Sequence, residues 1–166
     1  MAATVQINEY NLVGEVKEAN ITNSNMGSSD EPNLDPVANP IIPGENTYEK
    51  YQTIEVTAMG GSSAIDNIKI WRTGALGGSA VHDTNARTAA YAEKSFATPV
   101  ATESTQATES MPTSEPGTAN LGINSALDGS LTVTGETDLL VHQIQTDAGD
   151  VAGSTSTISF QYDETA

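Results

Sequence analysis

Apolar and polar residues alternate with a period of two in several short stretches of the chain, and no stretch keeps the period of an amphipathic helix beyond two turns. Val5 and Ile7 alternate with Gln6 and Asn8, and the run from Leu12 to Glu18 follows; the pattern predicts two N-terminal strands. From Tyr48 onward, Tyr51, Thr53, Glu55 and Thr57 alternate with Ile54, Val56 and Ala58. Gly60-Gly61-Ser62-Ser63 then supplies a turn, and Ile65 to Arg72 resumes the alternation with Ile68 and Ile70 on one face and Lys69 and Trp71 on the other. Two such runs across a glycine turn read as a hairpin. Ala80 to Asp83 suits a brief strand, and Thr88 to Phe96 is read as another, although Ala89, Ala90 and Ala92 also favour helix. The last third repeats the strand pattern at Leu131 and Val133, at Leu140, His142 and Ile144, and at Ile158, Phe160 and Tyr162.

Between these runs lie two stretches that regular structure does not tolerate. Residues 20–47 hold Pro32, Pro36, Pro40 and Pro43 among Asn, Ser, Gly and Asp. Proline fixes φ and donates no hydrogen bond, so this stretch reads as an extended arm, ordered only against a partner. Residues 95–118 are rich in Ser and Thr with Pro99, Pro112 and Pro116, but Phe96, Val100 and Met111 recur as anchors, as in a segment lying across a surface. The expected architecture is all-β: an antiparallel β-sandwich, Ig-like or jelly-roll-like, with an extended N-terminal arm. Residues 1–47 would form the N-terminal strands and arm, and residues 48–166 the sandwich with its ordered surface segment 95–118.

Composition narrows the functions open to such a fold. The 166 residues carry 22 Asp and Glu against 6 Lys and Arg, a formal charge of −16. No Lys or Arg follows Lys94, so a basic groove for phosphates has nothing to be built from, and direct nucleic-acid binding is excluded. The same charge disfavours anionic lipid, and the longest apolar runs, such as Pro40 to Pro43, are too short to span a bilayer. Cysteine is absent, which removes disulfides, thiolate catalysis and thiolate-bound zinc. Residues 1–6 lack a basic and an apolar region of the secretory kind, so synthesis in a cytoplasm is expected. At 37% hydrophobic and 5% aromatic residues, the core should be thin and built from Val, Ile, Leu and Ala.

Candidate chemistry is sparse. A Ser-His-Asp triad can be written on paper with His82, but no Gly-x-Ser-x-Gly elbow occurs to strain a nucleophile. His82 beside Asp83 reads as a turn pair, and His142 as a half-buried strand residue. Carboxylates are so abundant that chance pairs are expected, and they read as solvated charge. Asp147-Ala148-Gly149-Asp150 and Asp128-Gly129 offer oxygen ligands of the kind calcium prefers, but neither reproduces the twelve-residue loop, and turn chemistry accounts for both. No cofactor is called for. Trp71 has opposite parity to Ile68 and Ile70, yet a bulge at the end of a sandwich strand would turn it inward, and a core position is favoured over a stacking surface.

Several stretches together resemble the virion proteins of tailed bacteriophages that carry small β-sandwich domains. They are Glu45 to Tyr51, the run Ile65 to Trp71, Ala97 to Val100, Met111 to Thr113 and the closing Phe160 to Glu164, in that order over residues 44–164. The resemblance implies a non-enzymatic structural protein of the virion, made in the host cytoplasm. The best reading is a capsid decoration or cement protein whose partners are the major capsid protein or other virion proteins. A tail or fibre component and a carbohydrate-binding adhesin are the alternatives, and homo-oligomerisation stays open. The residues expected to touch a partner are Pro40, Ile41, Ile42, Pro43, Trp71, Phe96 and Met111.

Overall fold

A computed structural model of the chain describes every residue except 152, 154 and 155. The fold is all-β: among the described residues there is no helix, and every strand pair is antiparallel. The strands are β1 (Thr4–Asn11), β2 (Val16–Glu18), β3 (Lys50–Ala58), β4 (Ala64–Thr73), β5 (Val81–Thr84), β6 (Glu109–Ser110), β7 (Gly135–Glu136), β8 (Leu140–Gln145) and β9 (Thr157–Thr165). The larger sheet runs β2-β1-β3-β8-β5-β6, with β7 beside β3, and the smaller one consists of β4 and β9.

The two sheets share one apolar cluster. Ile54 and Val56 of β3 and Leu140 of β8 meet Ile65, Ile68 and Ile70 of β4, with Leu121, Ile123 and Leu131 from the irregular chain between. Ile158, Phe160 and Tyr162 of β9 pack against its side. Alternation along a strand puts Lys50 and Gln52 on the same inner face as Ile54 and Val56. That face is therefore apolar at one end and polar at the other. Tyr51, on the outer face, joins Tyr10, Val141 and Ala107 in a second small cluster.

β3 and β4 do not form the hairpin that their alternation suggests. β1 occupies one edge of β3, and β8 and β7 share the other, so no edge is left for β4. The Gly60-Gly61 turn instead carries the chain to the opposite sheet, where β4 pairs with β9. Gly60 has φ +62°, and a Cβ there would lie 2.4 Å from the main-chain oxygens of Met1 and Ala2. The N-terminus is thus seated in the turn, and Gly61 N–H donates to the Met1 carbonyl at 2.7 Å.

Three further expectations are corrected. Residues 88–96 form neither strand nor helix: Ala90 sits at φ 49°, Tyr91 packs on the main cluster and Phe96 on the second. Leu131 joins a ladder only through a single bridge to Ile65, while Val133 is exposed. Residues 19–47 are as irregular as their prolines require, but they do not reach away as an arm. Ile21 N–H donates to the Ile7 carbonyl and Tyr48 N–H to the Gly27 carbonyl, and Leu34 is 2% exposed. β1, which the sequence places ahead of the domain beginning at residue 48, is hydrogen-bonded to β3 from Thr4 to Tyr10.

Candidate functional site

The polar end of the inner face gathers buried ionisable side chains. Lys50 is 1% exposed, and its three ammonium protons go to Glu9 Oε1 at 3.0 Å, Asn11 Oδ1 at 2.9 Å and the Glu31 carbonyl at 3.1 Å. Full pairing is what lets a charge sit in so dry a place. Glu9 also accepts from Asn11 Nδ2 and from the Ser24 hydroxyl. The supposed arm thus supplies two of the groups that neutralise this pair.

Next to Lys50 the two histidines meet. β5 and β8 pair so that His82 faces Ile144 and Thr84 faces His142, which sets the two imidazoles diagonally across the ladder. His82 Nε2 and His142 Nδ1 are 2.9 Å apart and share one hydrogen bond. Both rings are buried, contrary to the turn and half-buried positions expected of them. Burial lowers the His82 pKa to about 4, helped by the Arg72 guanidinium, and burial holds His142 well below the ordinary range, helped by His82 and Lys50. The pair therefore stays neutral at pH 7, lying between two cations. Among the described residues, neither imidazole touches a serine hydroxyl or a carboxylate, and His82 Nδ1 and His142 Nε2 have no hydrogen-bond partner. A general base needs a nucleophile within reach and a group to orient it, and this pair has neither.

In the Asp147–Asp150 turn the Asp150 carboxylate serves the backbone. Asp150 Oδ1 accepts from Ser79 N–H at 2.6 Å, and Oδ2 accepts from Asp147 N–H at 2.8 Å. The carboxylate ties the β4–β5 loop to the β8–β9 loop. Among the described residues no three His, Asp or Glu side chains converge as metal ligands.

The expected contact residues are scattered by the fold. Pro40, Ile41 and Pro43 lie together on one rim, where with Val37, Leu76 and Val151 they line an open groove of about 450 Å³. Ile42 projects from the same rim. Val37 and Val151 are 87% and 70% exposed. Trp71 lies half-buried on the outer face of β4, opposite Ser159, and is not a core residue. The bulge that was expected to turn it inward lies upstream between Asp66 and Lys69, with Asn67 at φ 51°, and it brings Ile65 and Ile68 to the same face. Phe96 is half-buried on the Tyr51 ring, with centroids 4.9 Å apart. Met111 is 3% exposed inside the main cluster and cannot reach a partner.

Sequence reasoning missed the meeting of the histidines and the role of Asn120. The Asn120 side chain accepts from Ile70 N–H at 2.7 Å and donates to the Ile70 carbonyl at 2.8 Å, so one amide acts as a strand beside β4. Nothing in its flanking residues signals this. The spacing of Ile65 and Ile68, by contrast, breaks period two and does signal the bulge.

Comparison with known proteins gives no match to a family model, a curated protein or a solved structure.

Proposed function

We propose that the protein is a non-enzymatic structural module that works by adhesion, and that its setting is the virion, as a decoration or cement protein on the capsid. The observation that carries this reading is the rim formed by Val37, Pro40, Ile41, Ile42, Pro43 and Val151, where apolar side chains stand exposed on a chain of charge −16. Exposed apolar clusters of this kind mark contact surfaces. The rim is held in shape by the Asp150 carboxylate and by Thr146 Oγ1, which donates to the Glu45 carbonyl at 2.8 Å, so little ordering is needed on contact. The resemblance to phage virion proteins supplies the partner, the major capsid protein. At about 25 cal/mol per Å² of apolar surface, a contact of a few hundred Å² contributes several kcal/mol before association costs, and repetition over a shell multiplies it.

A ligand that binds the assembled shell and not the disrupted one raises the shell's stability. Shells loaded with the protein should rupture at a higher temperature than bare shells, and Val37→Ser with Ile42→Ser should remove most of the gain. Equal rupture temperatures would contradict the cement role.

Trp71 favours a second reading, a carbohydrate-binding module, because its ring lies half-exposed on an outer sheet face where a sugar can stack. Glycan-array binding lost in Trp71→Ala would support it.

A further inference from the structure

Each sheet has edges, and an edge strand left bare is a template for another strand. The larger sheet ends in β2 and β6, of three and two residues, too short to recruit a partner; β2 covers β1 only from Glu9 to Asn11, and on the rest of that edge Ile21 N–H takes the Ile7 carbonyl. The far edge of β4 is closed by irregular chain. Arg72 N–H donates to the Pro112 carbonyl at 2.8 Å, Asn120 brackets Ile70, Asn120 N–H donates to the Ile68 carbonyl at 3.0 Å, and Leu131 exchanges two bonds with Ile65 at 2.9 Å.

β9 is different. Because Ile65, Ile70 and Arg72 direct these groups away from β9, the residues opposite them in the antiparallel ladder, Glu164, Phe160 and Ile158, direct theirs away from β4. Among the described residues, no hydrogen bond reaches the main chain of residues 158–164 from that side. The strand is nine residues long and contains no proline or lysine that would discourage pairing.

Beside this edge lies a cavity of about 310 Å³ whose apolar wall includes Ile7, Ile21, Ile144, Ile158 and Phe160. Gln52 and His82 also line it, and Gln52 Oε1 and His82 Nδ1 are buried atoms without a partner. An extended chain laid along β9 would place every second side chain over this space.

We propose that the free edge of β9 takes an extended segment of a partner chain, apolar at alternate positions, with a hydroxyl among its inward side chains and basic residues at one end. The alternation fits the apolar wall, and a serine or threonine hydroxyl supplies the donor that Gln52 Oε1 lacks. The basic end fits the exposed Asp163 and Glu164, with Asp66 facing Asp163 across the ladder. A second copy of this chain is the poorer occupant, since two bodies of charge −16 repel. The inference rests on the adhesive reading and gives it a second, main-chain contact.

The test is amide hydrogen exchange on the whole protein with a synthetic peptide of about ten residues, a length that matches β9, with isoleucine at every second position except one, where threonine replaces it, serine at the positions between, and two lysines at the end. On saturation the amides of Ile158, Phe160 and Glu164 should slow by at least about tenfold, while those of Ser159 and Gln161, already bonded to β4, stay as they were. The same peptide ending in two glutamates should bind more weakly. Unchanged exchange at Ile158 and Phe160, or slowing confined to the Pro40–Pro43 rim, would overturn the proposal. So would slowing of these amides by higher protein concentration alone, which would make the occupant a second copy. If the peptide fails while shells still bind the protein, only the strand inference falls; if the peptide binds and shells do not, the virion reading falls.

Discussion

β4 and β9 lie side by side in one small sheet, and their far edges are finished in opposite ways. Along β4 the irregular chain supplies what a neighbouring strand would: the Pro112 carbonyl, the Asn120 amide and the main chain of Leu131. Along β9 the corresponding groups have no such neighbour among the described residues. The difference follows burial. Ile65, Ile68 and Ile70 are fully buried, so unpaired main-chain groups beside them would be costly, whereas β9 is half-buried and water can serve its edge. A small sheet can thus be closed where it faces the core and left open where it faces solvent, without a third strand.

The largest way to break this asymmetry is to open β4. Asn120→Ala removes the donor and the acceptor that satisfy Ile70, leaving two buried main-chain groups unpaired. Each such group costs about 1–3 kcal/mol, so urea denaturation should show a loss of about 2–6 kcal/mol. A loss below about 1 kcal/mol would mean that water replaces the amide and that the edge is not sealed.

Acid should act on the same edge through the histidines. His82 holds the closing segment, since Met111 N–H donates to its carbonyl at 2.8 Å and Pro112 follows directly. The folded pKa of His82 is about 4 and that of His142 is also depressed, so below about pH 6.5 the unfolded chain binds more protons than the folded one. The contribution of the pair is complete above that pH and is lost as pH falls toward 4, at up to about 1.4 kcal/mol per pH unit for each ring. Burial raises the pKa values of Asp30, Asp83 and Asp138, so as pH falls these carboxylates take up protons more readily in the folded chain than in the unfolded one and offset part of the loss. Denaturation midpoints measured from pH 7.5 to 4.5 should fall, and replacing His82 and His142 together by Gln should flatten the fall between pH 6.5 and 5.

The smallest effect belongs to the open edge. Ser159 points from the outer face of β9, so Ser159→Lys should change stability by no more than about 0.5 kcal/mol, while placing a charge beside the free ladder and discouraging strand addition. A large loss would show that the outer face of β9 is already in use.

Much of the fold was legible in the sequence because period two reports burial directly. β1, β3, β4, β8 and β9 all lie where apolar alternation puts them. Pairing was less legible. A glycine turn between two alternating runs serves equally for a hairpin and for a crossing between sheets, and what decides is whether β3 has an edge free, a property set by β1 and β8. The site was least legible. His82 and His142 are sixty positions apart, and each looked unremarkable alone; only the β5–β8 register brings them within 2.9 Å. Proline marked residues 20–47 as irregular but could not show that Glu31 and Ser24 would bond the buried Lys50–Glu9 pair and so fasten the stretch to its own domain. The Met111 error has a similar origin: an apolar residue within a Ser/Thr-rich stretch reads as an external anchor when its neighbours are polar, yet here it plugs the core.

The difference between the two edges is tested most directly by amide exchange on the free protein, dilute and at neutral pH. The N–H groups of Ile65, Ile70 and Arg72 on the closed edge should exchange at least about a hundredfold more slowly than those of Ile158 and Phe160 on the open edge, although all five belong to the same two-stranded sheet. Equal protection of the two sets would contradict the account, because it would mean either that β9 is covered in the free protein or that β4 is not sealed.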